Sequence, residues 1–522
     1  MTRIPFWNSL PALALTSSVL LALSFPPFDL GWLQFAAILF LLRLAHIAPT
    51  TRLMVGWSYL AFVLWNLFNT YWLMMASVPA GIAAILANAA LMVIPLWIAR
   101  RLMLARSLPP LIVAFLAAAA WVGYEYLHHH WDLAWPWLTL GNAWANLTAV
   151  IQYISVTGIW GVSFWVFFTS AVAYQAILSG QRSHGIAAAV LFLLFPLFSV
   201  VAMVGIGQYD TGEPMEVVIV QPNSDSYQPY GGHRDVNALI TSLLELTGEA
   251  VTPQTDLVLW PENAVSSNVQ RFGPEVSRIR DSLRVWDTEL VTGVGYLRLY
   301  GEDEVPAIHR LTTGGDPINV FNAAFHLTGQ QPPEVYEKGR LVPVVERFPF
   351  VEFFNRLDLF GWVDWGVQAG YGLGREATVF QTAAGNTPAL ICYDSVFPGW
   401  VNEFVNNDAD FISIITNDGW WGDSHGHIQH FAYARLRAME HRMWVARSAN
   451  NGISGVISPD GKVQKETEYW TRQAFAFTIY KLEPGTFYTR YGDWLGRLLA
   501  VAGLFGFGLT VYLNRRRDTE NK

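Results

Sequence analysis

The stretch TPALICYDSVFP, Thr387 to Pro398, sets a short apolar run directly against a cysteine, a tyrosine and an aspartate. An apolar run of this length between turn residues reads as a buried strand, so Cys392 falls where a strand ends and a loop begins. Cys392 is also the only cysteine in the 522 residues. Two readings follow. A lone cysteine most often packs as a small hydrophobe; at a strand end, beside a base or a cation, it is a reactive thiol. One cysteine excludes an internal disulfide, and leaves a thiol that cannot mispair within its own chain.

Outward from this stretch, Thr211 to Pro484 has a mixed pattern. MEVVIVQPN, TDLVLWPENA, DTELVTGVGYL, ALICYD and DFISIITNDGWW read as strands, and RDVNALITSLLELTGEA and His427–Trp444 as amphipathic helices. VARSANNGISGVISPDG returns as further strand and turn. Strands that end in polar residues and alternate with helices predict a layered α/β domain with its site at the strand ends.

The rest of the chain is of another kind. Overall 52% of residues are hydrophobic, 14% are charged and 23 are tryptophan, with a mean hydropathy of +0.27. Soluble domains carry about 25% charged residues, so the composition points to a membrane protein. The net charge of −8 argues against nucleic acid as a partner. Apolar segments near the roughly 20 residues of a span occur at Leu10–Phe25, Trp32–Ala48, Leu53–Leu73, Gly81–Ile98, Leu111–Leu127, Ser155–Leu178, Ile186–Ile206 and Trp494–Leu513. No small-residue cleavage site marks the first as a signal peptide. Arg3, Arg52, Arg100, Arg101, Arg106, Arg182 and Arg515 to Arg517 fall on alternate connections, and the opposite connections before the α/β region hold no Lys or Arg. The positive-inside rule then puts both termini in the cytoplasm and the α/β region outside. The expected fold is an eight-span helical bundle plus an extramembrane α/β domain: residues 1–210 with seven helices, 211–486, and 487–522 with the eighth helix and a basic tail.

Three strand or loop ends carry chemistry: Glu262 in LVLWPEN, Lys338 in VYEKGRLVPVVE and Cys392 in PALICYD. Taken singly, each has an ordinary explanation as a solvated or packed side chain. Brought together they would supply a base, a cation and a nucleophile. LVLWPENA, YEKGRLVP and ALICYDSVFP resemble the signatures of the nitrilase, or carbon–nitrogen hydrolase, superfamily, which implies an αββα sandwich with a Glu-Lys-Cys triad. FPPFDLGWL, WPWLTLGNAW, TNDGWWGD, RAMEHRMWVARSANNGISG and YTRYGDW extend the likeness to the bacterial apolipoprotein N-acyltransferase family over nearly the whole chain.

That resemblance implies Cys392 as nucleophile, Glu262 as general base and Lys338 as the cation beside the oxyanion, with Glu346, Tyr393, Asp394, Asn322 and Tyr230 in support. Asp394 stands where the family commonly has Glu, Val345 precedes Glu346 where many members have Gly, and Tyr230 where Trp is frequent. The implied reaction moves the sn-1 acyl chain of a phospholipid, phosphatidylethanolamine in the family, through a thioester to the N-terminal amine of a diacylglyceryl lipoprotein. It implies no cofactor, and an inner-membrane protein whose catalytic domain is periplasmic and whose site opens to the outer leaflet. A monomer suffices. HHHWDLAWPWL and NDGWWGD suit the membrane interface, where Trp and Tyr collect. His128 to His130, adjacent at a helix end, point in different directions and do not suit a metal. Glu125, near the end of the fifth span, is expected to face water or another helix. Two other readings stay open: a membrane-bound amidase in which water takes the acyl group, and a transporter with an accessory domain.

Overall fold

In a computed structural model of the chain, residues 5–105, 107–204, 209–359, 362–483 and 485–520 are described. Arg3, Arg106, Pro484 and the Ile206 end of the seventh expected span lie outside them. The chain divides into two compact units, Met1–Ile206 with Tyr491–Lys522, and Gly207–Arg490.

The first unit is helical: Leu10–Ser24, Leu33–Ile47, Thr51–Thr70, Val78–Leu104, Pro110–His128, Ile159–Ser179, Arg182–Val204 and Trp494–Glu520. Among the described residues, five helices are long and apolar enough to cross a membrane: Val78–Leu104, Pro110–His128, Ile159–Ser179, Arg182–Met203 and Trp494–Leu513. Leu10–Ser24 and Leu33–Ile47 are apolar but have only 15 residues each. That is about 22 Å of helix against a hydrocarbon core of about 30 Å. The sixth long helix starts at Ile159 rather than Ser155, because Gly158 takes a left-handed φ of 61° and ends a short turn of helix, Ile154–Thr157, before it. The last helix continues past Leu513 to Glu520.

Close approach of small residues fixes one helix pair in this unit. A Cβ on Gly123 would lie 2.7 Å from the Ala500 Cα, and one on Gly503 2.8 Å from the Ala119 carbonyl oxygen, so Pro110–His128 and Trp494–Glu520 touch backbone to backbone. Polar groups tie the other helices. The Asn88 amide donates to Asn66 Oδ1 at 2.7 Å, and Asn88 Oδ1 accepts from the Tyr124 hydroxyl and meets His128 Nε2 at 3.0 Å. Glu125 Oε1 accepts from Trp121 Nε1 and the Leu140 amide, so this acid fastens the loop that follows its own helix. His128, His129 and His130 bond to Asn88, Thr139 and the Tyr126 carbonyl respectively. Trp137 is buried, with its ring 4.8 Å from that of Trp72, and Trp421 is buried in the second unit. Trp131 and Trp420 of the same two aromatic segments are exposed.

The second unit contains β1 (Pro214–Gln221), β2 (Thr255–Leu259), β3 (Val265–Val269), β4 (Glu289–Leu299), β5 (Arg310–Leu311), β6 (Pro317–Leu327), β7 (Glu334–Glu337), β8 (Val379–Thr382), β9 (Gly385–Ile391), β10 (Ile412–Thr416), β11 (Val445–Ala449), β12 (Gly455–Ile457), β13 (Val463–Glu466) and β14 (Gln473–Tyr480). One sheet runs β14-β1-β2-β4-β6-β5, with β3 beside β4 and β7 beside β6; the other runs β13-β12-β11-β10-β9-β8. The centres β1-β2-β4 and β9-β10-β11 are parallel. Their continuous Val, Leu and Ile runs suit strands covered on both faces, and every residue of β10 and β11 is buried. Helices Val236–Gly248 and Pro274–Trp286 cover the first sheet through Leu239, Leu243, Ile279 and Leu283, which pack on Val218, Val258 and Leu290. The sheets meet where the Ser448 hydroxyl of β11 donates to the Val220 carbonyl of β1. Pro398–Asn406 and His425–His441 follow β9 and β10 in the chain as buried helices.

Candidate active site

Three strand ends, those of the parallel β2 and β9 and of the antiparallel β7, deliver the polar groups to one place. β2 ends at Leu259, and the turn after it carries Glu262 across β4. A Cβ on Gly293 of β4 would lie 2.5 Å from the Glu262 Cα, so only glycine admits the crossing. Lys338 directly follows β7, and its amide donates to the Asn322 carbonyl of β6 at 2.9 Å. Cys392 directly follows β9 with a left-handed φ of 47°. That conformation costs a non-glycine residue about 1–3 kcal/mol and is held from several sides. The Ser395 hydroxyl donates to the Cys392 carbonyl at 2.7 Å, His430 Nε2 lies 3.2 Å from the same oxygen, and the Ile391 amide donates to Asp394 Oδ2.

The acid and the lysine form one buried group. Lys338 Nζ donates to Glu262 Oε1 at 3.2 Å and to Glu346 Oε1 at 2.9 Å. The Asn322 side-chain amide donates to the same two oxygens at 2.7 and 2.9 Å. Glu262 Oε2 accepts from the Asn417 amide at 2.9 Å, and Glu346 Oε2 from the Val342 amide at 2.7 Å. Lys338 is 1% exposed, Glu262 4% and Cys392 7%.

Burial governs their protonation. It raises the Glu262 carboxyl above its usual range, more than Lys338 lowers it. Burial alone would depress the Lys338 ammonium, but Glu262 and Glu346 outweigh it and hold the proton firmly. Burial, then the charge of Glu262, push the Cys392 thiol well above its ordinary value despite Lys338. The cation therefore does not by itself make a thiolate here. The resting arrangement is a thiol near a carboxylate of raised basicity, and the thiol becomes nucleophilic as it gives up its proton.

Asp394 is fully buried. It accepts from the Tyr336 hydroxyl at 2.9 Å and the Arg340 amide at 2.8 Å as well as from Ile391, and burial pushes its carboxyl up to about 6. It thus ties the end of β9 to the turn after Lys338, and its shorter arm reaches all three donors directly. Tyr393 is buried with its ring edge-on to Phe397 at 4.8 Å. The left-handed residue before Glu346 is Val344, φ 69°, rather than Val345, so the strain lies one position earlier than the Gly-to-Val difference suggests. Tyr230 sits in the loop after β1, 36% exposed, and no hydrogen bond joins it to the Glu262 group among the described residues.

Sequence reading missed a second buried layer. Asp418 accepts from Thr416 at 2.8 Å, lies 2.9 Å from His430 Nδ1 and pairs with Arg447 at 2.7 Å. Burial would raise its carboxyl, but Arg447 and His430 hold it far below the usual range. Burial and Arg447 depress His430. The signal was present: Arg447 interrupts an apolar strand run, and a buried arginine needs a carboxylate. Asn417 was missed because its backbone, not its side chain, holds Glu262.

A family model described as the apolipoprotein N-acyltransferase N-terminal domain matches residues 17–172, and one described as carbon–nitrogen hydrolase matches residues 216–481. The chain is 31% identical over 534 residues to an apolipoprotein N-acyltransferase of Chlorobaculum tepidum, covering 96% of each chain. It is 26% identical to one of Geobacter metallireducens, covering 99% of this chain and 98% of that one. Among solved structures, Saccharomyces cerevisiae Nit3, described as a member of branch 10 of the nitrilase superfamily, is similar at 17% identity and a TM-score of 0.36, covering 53% of this chain and 93% of its own.

Proposed function

This chain belongs to the apolipoprotein N-acyltransferase family, and from that premise we propose that it acylates lipoproteins by relaying a lipid-derived acyl chain through Cys392. In the first step Glu262 takes the thiol proton as Sγ attacks the sn-1 ester carbonyl of a glycerophospholipid, phosphatidylethanolamine as in the family. The S–C bond forms, the ester C–O bond breaks, and the glycerol oxygen leaves with the proton from Glu262 as a lysophospholipid. In the second step the α-amine of a diacylglyceryl-cysteine attacks the thioester. The N–C bond forms, the C–S bond breaks, and an amine proton returns through Glu262 to the sulfur. Lys338 stands for the charge on the tetrahedral oxygen; one such donor is worth about 10²–10³ in rate. Glu346 and Asn322 orient the pair, Asp394 and Tyr393 brace the cysteine turn, and Tyr230 belongs to the entrance.

The observation that carries this reading is the ammonium of Lys338, buried between two carboxylates and in electrostatic reach of the chain's single thiol. The topology goes with it: eight spans, a periplasmic catalytic domain over 211–486, both termini in the cytoplasm, and a monomer in the inner membrane. Arg43 adds support, since it bonds the Trp7 carbonyl and Asn8 beside the start of the first helix, the end at which the other cations were counted. The test is mass spectrometry of the full-length protein after exposure to phospholipid. One added acyl chain on Cys392, lost in Cys392→Ala, is expected. A Cys392→Ala protein that still acylates lipopeptide would overturn the assignment, and free fatty acid without N-acylated product would make the enzyme a hydrolase.

A further inference from the structure

The Ser224–Gly232 loop after β1 closes over the turn after β10. The Tyr227 hydroxyl donates to the Trp420 carbonyl at 3.0 Å, the Ser226 hydroxyl to Asn417 Oδ1 at 2.8 Å, and the Asn450 amide to the Ser224 carbonyl at 2.9 Å. Between them lies a cavity of about 330 Å³. It shares a wall with the acid–lysine group. Asn263 and Ala264, the two residues after Glu262, line it, as does Asn417, whose amide holds Glu262 Oε2.

The lining sets a group of carboxamides beside a few apolar and aromatic residues, Leu239, Ala264, Tyr371 and Trp420. Gln228, Asn263 and Asn268 present carboxamides whose side chains have no hydrogen-bond partner among the described residues. Asp225 adds a carboxylate, and no Lys, Arg or His is found among the described lining residues. The phosphate of a phosphatidylethanolamine headgroup is recognised by cations and forked guanidinium donors, none of which is found among the described lining residues, and Asp225 suits only the headgroup's ammonium. An acyl chain laid over these amides would strip them of water without replacing its hydrogen bonds. A side-chain amide offers both a donor and an acceptor, as a peptide unit requires. The volume is at the small end of ligand pockets, about 300–1,000 Å³.

We infer that this cavity holds the peptide backbone of the acyl acceptor, the residues just after its lipidated cysteine, and not the headgroup of the acyl donor. The inference rests on the relay through Cys392. It makes the protein segment of the second substrate, and not only its lipid, a determinant of transfer. The α-amine would then reach the thioester from the Glu262 side, beside the base that receives its proton.

The test uses the full-length enzyme in phospholipid–detergent micelles and the double variant Gln228→Ala/Asn268→Ala, both at exposed positions. Two acceptors are compared, a diacylglyceryl pentapeptide and diacylglyceryl-cysteine amide, together with the rate of adduct formation on Cys392 from phosphatidylethanolamine. The expected result is a KM for the pentapeptide raised about tenfold, the loss of two hydrogen bonds. KM for the cysteine amide and the rate of adduct formation should each move less than about twofold, since neither uses those bonds. Equal effects on both acceptors, no effect on either, or slowed adduct formation alone would overturn the cavity assignment; the last would give the cavity to the donor headgroup. A wild-type enzyme that forms no adduct on Cys392 would instead sink the relay itself.

Discussion

Lys338 neutralises two carboxylates that have little water to turn to, so its removal has two separable consequences. Lys338→Met should abolish adduct formation and also destabilise the catalytic unit by about 3–5 kcal/mol, the cost of breaking a buried ion pair from one side. Denaturant unfolding of the purified protein reads the second effect apart from the first. Glu262→Gln keeps the shape and most hydrogen bonds but cannot accept a proton; the rate of adduct formation should fall by about 10²–10⁴. The pH profile carries the same information. Because burial raises the Glu262 carboxyl, wild-type activity should fall, as the pH drops, at a point above the ordinary glutamate value of about 4.3. The residual activity of Glu262→Gln should lack that limb. An unchanged limb in Glu262→Gln would assign the base elsewhere.

At the scale of elements, His326 of β6 joins four of them. Its ring nitrogens lie 2.9 Å from Glu289 Oε2 at the start of β4 and 3.0 Å from Glu334 Oε2 at the start of β7, and Glu289 also accepts from the Ala383 amide in the β8–β9 turn. Burial would lower the imidazole, but its bonds to Glu289 and Glu334 prevail and raise it. A raised histidine stabilises the fold below its unfolded value of about 6.5, and loses that contribution as pH rises through the folded value. The catalytic unit should therefore melt at a lower temperature once the pH passes above that range, and His326→Gln should flatten the dependence. β6 also shows where sequence reading stops. β1, β2, β4, β9 and β10 announce themselves as short, mainly apolar runs, and Glu262 and Cys392 sit just beyond two of them, whereas Lys338 follows the polar β7, EVYE. In INVFNAAFHL the alternation is broken by Asn322 and His326, each buried for a polar task, so the strand that carries the orienting amide gives no clean period. The eight-span expectation suffers differently. Hydropathy reports that a segment is apolar, and the two 15-residue helices show that apolar character and spanning length are separate properties.

Across the whole molecule, the helical unit is built from both ends of the chain, with the catalytic unit between them. One contact that joins those ends is the glycine-faced pairing of Pro110–His128 with Trp494–Glu520, where a side chain on Gly123 would meet the Ala500 backbone. Gly123→Leu should force the helices apart at a cost of about 1–3 kcal/mol, lowering the melting temperature in detergent; an equal melting temperature would mean that the pair is loosely packed. The chain order has a further consequence for synthesis. The glycine face of Pro110–His128 leaves the ribosome long before its partner exists, and must wait, unfilled, while the catalytic unit is made. A nascent chain arrested between Cys392 and Trp494 carries Glu262, Lys338 and Cys392 on a bundle that still lacks its last helix. Only the last helix brings the Ala500 backbone against Gly123, so this pairing forms at the very end of synthesis.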